Sequence, residues 1–483
     1  MGFIDFMSNA FSRVAGRKKE FDELLASKDI SAIQQQMTTR EDLIIDAMKD
    51  YDTYSHPINH REDKIITDKN GNFIRREKVW KLPIPYPVYI NEVALVFLYG
   101  RPVKWSQLSE GTDNAFAAFQ DIIRRTRFDS KIREAKRLAG AETESALLFR
   151  TYRNSDGEPD VQIRVLAKSK GDEIRVRWDQ YENIISIGWG YYVKEANDKT
   201  VYHYDIFTPE TIYRCAKAQM GWDVTEEENL VGKIPIILFQ QEKEWAGIER
   251  IMHRIEYITS RTADTNDYFS DPIAIMDAEL IKSMPEKGAA NKMLITKGGD
   301  GVDKAAKYLT WDSAPESKKQ ELEWLEDKLL TMSFTPKISL ETLKSVSQLS
   351  AKALNTVMLL ANIKASKRKE KHDELLDRTA SLIVSIIANV MDVSLAGECL
   401  NLKVGHEFQE PFGNDIADAI DNLVKVYGAG LMSTETAVAQ NPLIKDTSSE
   451  IEKINSESAE KAQREKDLFS QIETPEDIQG TAK

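Results

Sequence analysis

Cysteine is nearly absent, with two residues in 483, Cys215 and Cys399, far apart in the chain. A disulfide framework is thereby excluded, and neither residue belongs to a closely spaced pair of the kind that binds zinc. A reduced, cytoplasmic history is the expectation. Long hydrophobic runs are lacking too. The most apolar stretches, VALVFLYG and LIVSIIANVM, fall short of the roughly 20 residues that cross a bilayer, so no membrane span is expected. The opening MGFIDFMSNAFSRVAGRKKEF does not follow the basic, apolar, small-residue order of a signal peptide.

Local signatures of catalysis are missing as well. There is no phosphate-cradling Gly-x-x-x-x-Gly-Lys-Ser/Thr, no Gly-x-Gly-x-x-Gly after a strand and no His-Glu-x-x-His, so no enzyme, cofactor or metal is expected. His56 and His60 are four apart, but Pro57 denies them a shared helix face, and both read as loop histidines. DTNDYFSD at 264–271 lacks the central Gly and terminal Glu of a calcium loop, and KGGDGVDK at 297–304 reads as a plain turn.

Positive charge is in short supply. The net charge of −13 excludes a protein that grips nucleic acid over its whole surface, although not one that lets DNA slide past. A basic cluster of Arg124, Arg125, Arg127, Lys131, Arg133, Lys136 and Arg137 reads as a solvated helix face, with DNA contact as the alternative. KASKRKEKHDE at 364–374 interleaves acids with bases and reads as a solvated face or a subunit contact.

What is present is a chain long enough for two or three domains. Residues 1–40 read as helical and partly loose. EDLIIDAMKDYDTY predicts a helix and DKNGN a hairpin turn. From 146 to 240 the hydrophobic period becomes two: LLFRTY, VQIRVLA, EIRVRW, NIISIGWGYY, KTVYHYDIF, ETIYRC and IPIILF predict seven antiparallel strands in an α+β domain. A helix then places Ile248, Ile251, Ile255 and Ile258 on one face and stops at Asp271-Pro272. After an insert of about forty residues, Pro315 opens a second helix with Leu322, Leu325, Leu329 and Met332 on one stripe. Thr335-Pro336 ends it. The stretch 345–395 lacks Gly and Pro and predicts one helix of about fifty residues, about 75 Å long. Its apolar pattern breaks at 364–374, so a sustained coiled coil is not expected. Two helices follow 415, the second capped by Ser433, and then a charged, partly disordered tail.

Taken in this order, these elements resemble the bacteriophage portal proteins of the SPP1 type. The resemblance is carried by VYINEVALVFLYGRPVKW, by RFDSKIREAKRLAGAETESALLFRTYRNSDGEPDVQIRVL, by SQLSAKALNTVMLLANIKASKRKEK and by DAIDNLVKVYGAGLMSTETAVAQNPLIKDTSSEIEKINSE. Gln348 and Leu349 stand where the family's small-residue motif has Gly, and Lys352 falls inside that motif.

The resemblance implies a portal-like α+β fold and a homo-oligomeric ring, a dodecamer, at one vertex of the phage head. Its parts would be an N-terminal segment at 1–40, an α/β wing at 41–242, stem helices at 243–270 and 315–335, and a clip at 271–314. A tunnel loop at 336–348, a long wing helix at 349–395, a helical crown at 396–460 and an acidic tail at 461–483 would complete it. Lys337, Glu341 and Lys344 would face DNA in the tunnel loop, and the eight apolar residues of the two helical stripes would pack the stem. Implied partners are the terminase large subunit, head-completion or adaptor proteins, the major capsid and scaffold proteins, and double-stranded DNA in transit, with no membrane. The implied location is the virion, reached through the host cytoplasm. Two other readings remain open: a minor structural or scaffold protein that self-associates through long helices, and a nuclease or motor subunit.

Overall fold

The computed structural model describes residues 23–194, 198–270, 273–276, 306–309, 315–337, 358–409, 416–441, 443–444 and 447–472. The chain divides into two compact units, one holding residues 1–343 and 357–411, the other 344–356 and 412–483.

Two antiparallel sheets organise the first unit. Strands β4 (Glu144–Arg153) and β5 (Pro159–Leu166) pair with β11 (Ile236–Gln240) in the order β11-β4-β5. Strands β6 (Glu173–Trp178), β7 (Ile184–Lys194), β8 (Thr200–Phe207), β9 (Thr211–Lys217) and β10 (Trp222–Glu228) form a meander in the order β10-β9-β8-β7-β6. Successive strand residues point to opposite faces. Ala146 and Leu148 therefore join Val176, Ile187 and Phe207 between the sheets, while Leu147 and Phe149 turn to the helices. Burial on both faces makes this strand a continuous apolar run in the sequence. Seven strands are expected here, and eight are present among the described residues. The one missed, β10, carries Asp223, Glu226, Glu227 and Glu228 on an exposed edge and lacks an apolar stripe.

The outer face of the meander is covered by the short helix Ile30–Gln36, whose Ile30 and Ile33, with Met37, pack on Tyr204, Ile206 and Cys215. Thr38 then pairs with Val176. The N-terminal segment expected to be partly loose thus contributes a structural cover from residue 30 onward, because its isoleucines close an otherwise open apolar face.

Behind the three-stranded sheet lie helices Tyr86–Tyr99, Asp113–Arg125, Phe128–Glu142 and Leu359–Ile386. Tyr86–Tyr99 is apolar around most of its circumference because it touches two clusters: Leu95, Leu98 and Tyr99 enter one and Ile90 the other. The long helix docks Leu376, Ala380, Ile383 and Ile386 into the first cluster. It ends a few residues earlier than the sequence suggests. After 28 residues it passes into a π turn at Ile387–Met391 and stops at Asp392, whose carboxylate caps Ser394. Residues 349–357, expected in its first turns, lie outside the described residues.

Residues 396–409 were grouped with the crown but belong to the first unit, where Val404–Glu407 pairs with Lys104–Gln107 and Cys399 is buried in the helical core. In the insert 271–314, Ile273–Met276 pairs antiparallel with Ala306–Leu309. The second unit consists of helices Ile416–Gly428, Thr434–Gln440 and Thr447–Ile472, with Ser433 accepting a hydrogen bond from the Thr436 amide. The charged stretch read as a tail is helical as far as Ile472. Its Glu, Lys, Gln, Ala and Arg are strong helix formers, and pairs such as Glu450–Lys453 add local support.

A close approach sets one stringent requirement. Gly140 faces Asn91 on Tyr86–Tyr99 and Glu244, and a Cβ there would collide with Asn91 Oδ1. Replacing a helical Gly by Ala ordinarily stabilises by about 1 kcal/mol. At Gly140 the sign reverses: Gly140→Ala is expected to lower stability by about 1–3 kcal/mol in urea denaturation, from overpacking.

Candidate functional site

Helices Glu249–Ser270 and Pro315–Met332 lie side by side and share one apolar seam. Ile248, Ile255, Ile258, Leu325 and Leu329 are buried in it, and Ile251 and Leu322 are partly buried against it. Met332 is a correction: it is 58% exposed, and Leu330 enters the cluster at 7%. The seam extends beyond the pair. Met252 of the first helix joins it, and Trp245, Ala47 and Ile90 join from outside the pair, contacts not visible as a stripe in either helix.

The opposite face of Glu249–Ser270 is polar and stitched to an extended stretch, Trp80–Ile84. The amides of Trp80, Leu82 and Ile84 donate to Asp264 Oδ1, Ser260 Oγ and Glu256 Oε1 at 2.7, 3.0 and 2.8 Å. Two extended residues advance about 6.6 Å and four helical residues about 6 Å, so the two periods keep in step. Pro83 and Pro85 hold the strand extended, and neither has an amide proton that would need a partner. Trp80 Nε1 also donates to Asp267, and Arg61 pairs with Asp264. The carboxylates of 264–271 that resemble a cation loop are in part acceptors for this ladder.

His56 closes the ladder's end. It is fully buried, with Nδ1 2.6 Å from Glu256 Oε1 and Nε2 2.7 Å from the Asp50 carbonyl. Two acceptors on two ring nitrogens call for the doubly protonated imidazolium. Burial opposes that charge, but the bonds to Glu256 and Asp50 outweigh it and raise the pKa above its ordinary 6.5. His56 is thus a buried cation, whereas sequence spacing suggested a loop histidine; its partner lies 200 residues away. His60 is exposed. Nearby, Lys243 Nζ binds Asp46, Asp50 and Glu249 at 3.0, 2.6 and 2.9 Å.

A second knot of charge sits where the chain enters the helix pair. Glu244 is fully buried and accepts from Lys136 Nζ at 2.6 Å, Lys364 Nζ at 3.1 Å and Arg368 Nη2 at 3.3 Å. Gln241 Nε2 donates to it at 2.8 Å. Burial alone would push the Glu244 carboxyl up, but the three cations hold it far below the usual carboxylate range. Burial lowers Lys136 and Lys364, partly offset by Glu244. Lys364 also donates to the Ser333 carbonyl at 3.1 Å, just past the second helix of the pair.

The basic patches read as solvated faces are therefore mixed. Arg124, Arg125 and Arg137 form surface pairs with Asp121, Asp160 and Glu92, while Lys136, Lys364 and Arg368 turn inward. Lys337 is exposed and pairs with Glu326 at 2.8 Å, which raises its pKa. Glu341 and Lys344 lie outside the described residues, as does KGGDGVDK. No group of three or more metal-ligating side chains occurs among the described residues, and no described helix is long and apolar enough to cross a membrane.

A family model described as phage portal protein, SPP1 Gp6-like, matches residues 34–464. The portal protein of Bacillus phage SPP1 is similar, 23% identical over 256 residues that make up 51% of this chain and 49% of that protein. The match thus spans about half the length of that relative. Two solved structures also align. The neck of a native GTA particle computed with C12 symmetry gives a TM-score of 0.37 at 10% identity, covering 74% of this chain and 90% of that one. The neck of an empty GTA particle computed with C6 symmetry gives 0.40 at 9% identity, covering 86% and 97%.

Two outcomes follow from the seam and the ladder. A raised His56 pKa contributes stability that is fully present below about pH 6.5 and lost as the pH rises through the folded-state value. Melting temperature should fall as the pH rises above about 6.5, and His56→Gln should flatten that part of the profile. Ile255→Asp buries an unpaired carboxylate in the seam and should cost at least about 3 kcal/mol in urea denaturation.

Proposed function

The chain belongs to the SPP1 Gp6-like family of phage portal proteins, and on that footing we propose that it forms the ring at the head vertex through which double-stranded DNA is packaged and ejected. The observation that carries this reading is the family match across 34–464, nearly the whole chain. In this reading Glu249–Ser270 and Pro315–Met332 are the stem and the insert 271–314 is the clip. The clip docks the terminase during packaging and the head-completion proteins afterwards. Residues 41–242 form the wing, crossed by the long helix, and the crown begins after residue 411.

Each copy brings exposed apolar side chains on and beside the helix pair, among them Trp324, Tyr257, Met332 and Phe334. In a ring these side chains would be available for contact with the neighbouring copies. The ring is strongly acidic as a whole, at −13 per chain. An acidic wall repels phosphate over about 8 Å at physiological salt, so DNA slides with few lasting contacts. Lys337, Glu341 and Lys344 supply a weak, reversible grip where the tunnel loop meets DNA. Terminase supplies the ATP hydrolysis.

Load on the channel passes to the wing through the ladder on Trp80–Ile84 and the Glu244 knot, which join the two helices to the rest of the unit at both flanks.

Negative-stain microscopy of the purified chain should show twelvefold rings with a central hole. Filaments or bundles without a hole would favour a self-associating structural protein instead. Replacing Lys337 and Lys344 together by Glu should leave rings intact and reduce DNA packaged in vitro, read as nuclease-protected DNA. Unchanged packaging by intact rings would remove the DNA-facing role of these lysines.

A further inference from the structure

Where the two sheets part, a cleft of about 730 Å³ opens between them. Leu148, Arg150, Gln162 and Arg164 of β4 and β5 line one wall; Trp189, Tyr191, Phe207 and Arg214 of β7 to β9 line the other. Lys131 and Lys170 line it as well, so five cations meet there; among the described residues Glu227 is the one lining carboxylate, and it accepts from Arg214 Nε at 3.1 Å.

The wall on β7 to β9 is built as a platform. Trp189 and Tyr191 lie two apart on β7 and stack with ring centroids 3.9 Å apart, and the Arg164 guanidinium crosses to sit 4.9 Å over Trp189. Two buried carboxylates hold the arginines in place. Asp172 accepts from Arg164 at 3.0 Å and from the Trp189 indole at 2.9 Å. Asp205 accepts from Arg214 at 2.6 Å and from the Tyr191 hydroxyl at 3.2 Å. Burial pushes the Tyr191 pKa up to about 12, so its hydroxyl remains a donor. Arg150 lines the same space and makes no hydrogen bond or ion pair among the described residues. A guanidinium has five N–H donors, and each of these arginines keeps several unspent.

The strand chemistry adds a direction. β5 ends its sheet, so its outer edge has no strand partner among the described residues, and residues 162–165 of that strand line the cleft. An extended segment laid on a free edge gains main-chain hydrogen bonds, and its alternate side chains fall on one face.

We propose that this cleft binds an extended acidic peptide segment of a partner protein. Its backbone lies along β5, and the carboxylates on its cleft-facing side meet Arg150, Arg164 and Arg214. Charge complementarity selects this occupant: guanidinium forks fit carboxylates in two-point contact, and alternation along a strand brings every second carboxylate to the same face.

The test is isothermal titration of the full-length chain with an N-acetylated hexapeptide of alternating glutamate and valine, at low and at high salt. The same peptide with glutamine for glutamate, and a single-stranded thymidylate oligonucleotide, serve as competing probes. The glutamate peptide should bind, weaken with salt, and exceed the glutamine peptide by at least about tenfold, since a charge-assisted hydrogen bond is worth that much. Arg150→Glu should weaken binding by at least about tenfold on the same scale, with an unchanged circular dichroism melt because Arg150 is exposed and unpaired. Arg164→Gln provides a second variant expected to weaken binding. No binding of the glutamate peptide, equal binding of the glutamine peptide, indifference to both substitutions, or tighter binding of the oligonucleotide would each overturn the proposal.

Discussion

Taking a carboxylate or an ammonium out of water costs several kcal/mol per ion, and the cost is met only when each charge finds partners in good geometry. Glu244 and its cations obey that constraint at the point where much of the first unit converges. Lys136 comes from Phe128–Glu142, Lys364 and Arg368 from the long helix, and Glu244 from the approach to Glu249–Ser270. Lys364 adds the Ser333 carbonyl from the end of Pro315–Met332. Segments more than two hundred residues apart are thereby brought to one carboxylate. The absence of a side chain at Gly140 is part of the same arrangement, because Asn91 and Glu244 occupy the space a Cβ would take.

The two faces of Glu249–Ser270 divide the labour. Ile255 and Ile258 face the seam and contribute non-directional apolar burial, about 1.5–3 kcal/mol for each side chain. Glu256, Ser260 and Asp264 face Trp80–Ile84 and fix register, since each accepts a specific amide. Apolar contacts alone would tolerate sliding of the helix along its axis. The ladder does not, because a shift of one residue would rotate all three acceptors away together. The helix pair is thus fixed in both depth and register.

The sequence made the regular parts legible for a physical reason: strands and amphipathic helices repeat. Period two marked β4 to β9 and β11, and the isoleucine and leucine stripes marked the helix pair. β10 escaped because its side chains are acidic and exposed on an edge. The charge knots were illegible for a different reason. Lys136 within a basic run and His56 before a proline look like surface residues until a partner arrives from a distant part of the chain. The prolines at 83 and 85 were the available hint, since alternating prolines mark an extended stretch whose remaining amides all point one way.

The central claim is that Glu244 and Lys364 act together, joining the long helix to the helix pair, rather than each serving its own surroundings. A double-mutant cycle tests it directly: Glu244→Gln, Lys364→Met and the pair of changes, each followed by urea denaturation of the full chain. The expected result is non-additivity, with the double variant less destabilised than the sum of the single ones by at least about 1 kcal/mol. Additive losses within about 0.3–0.5 kcal/mol would show the two residues to be independent and contradict the claim.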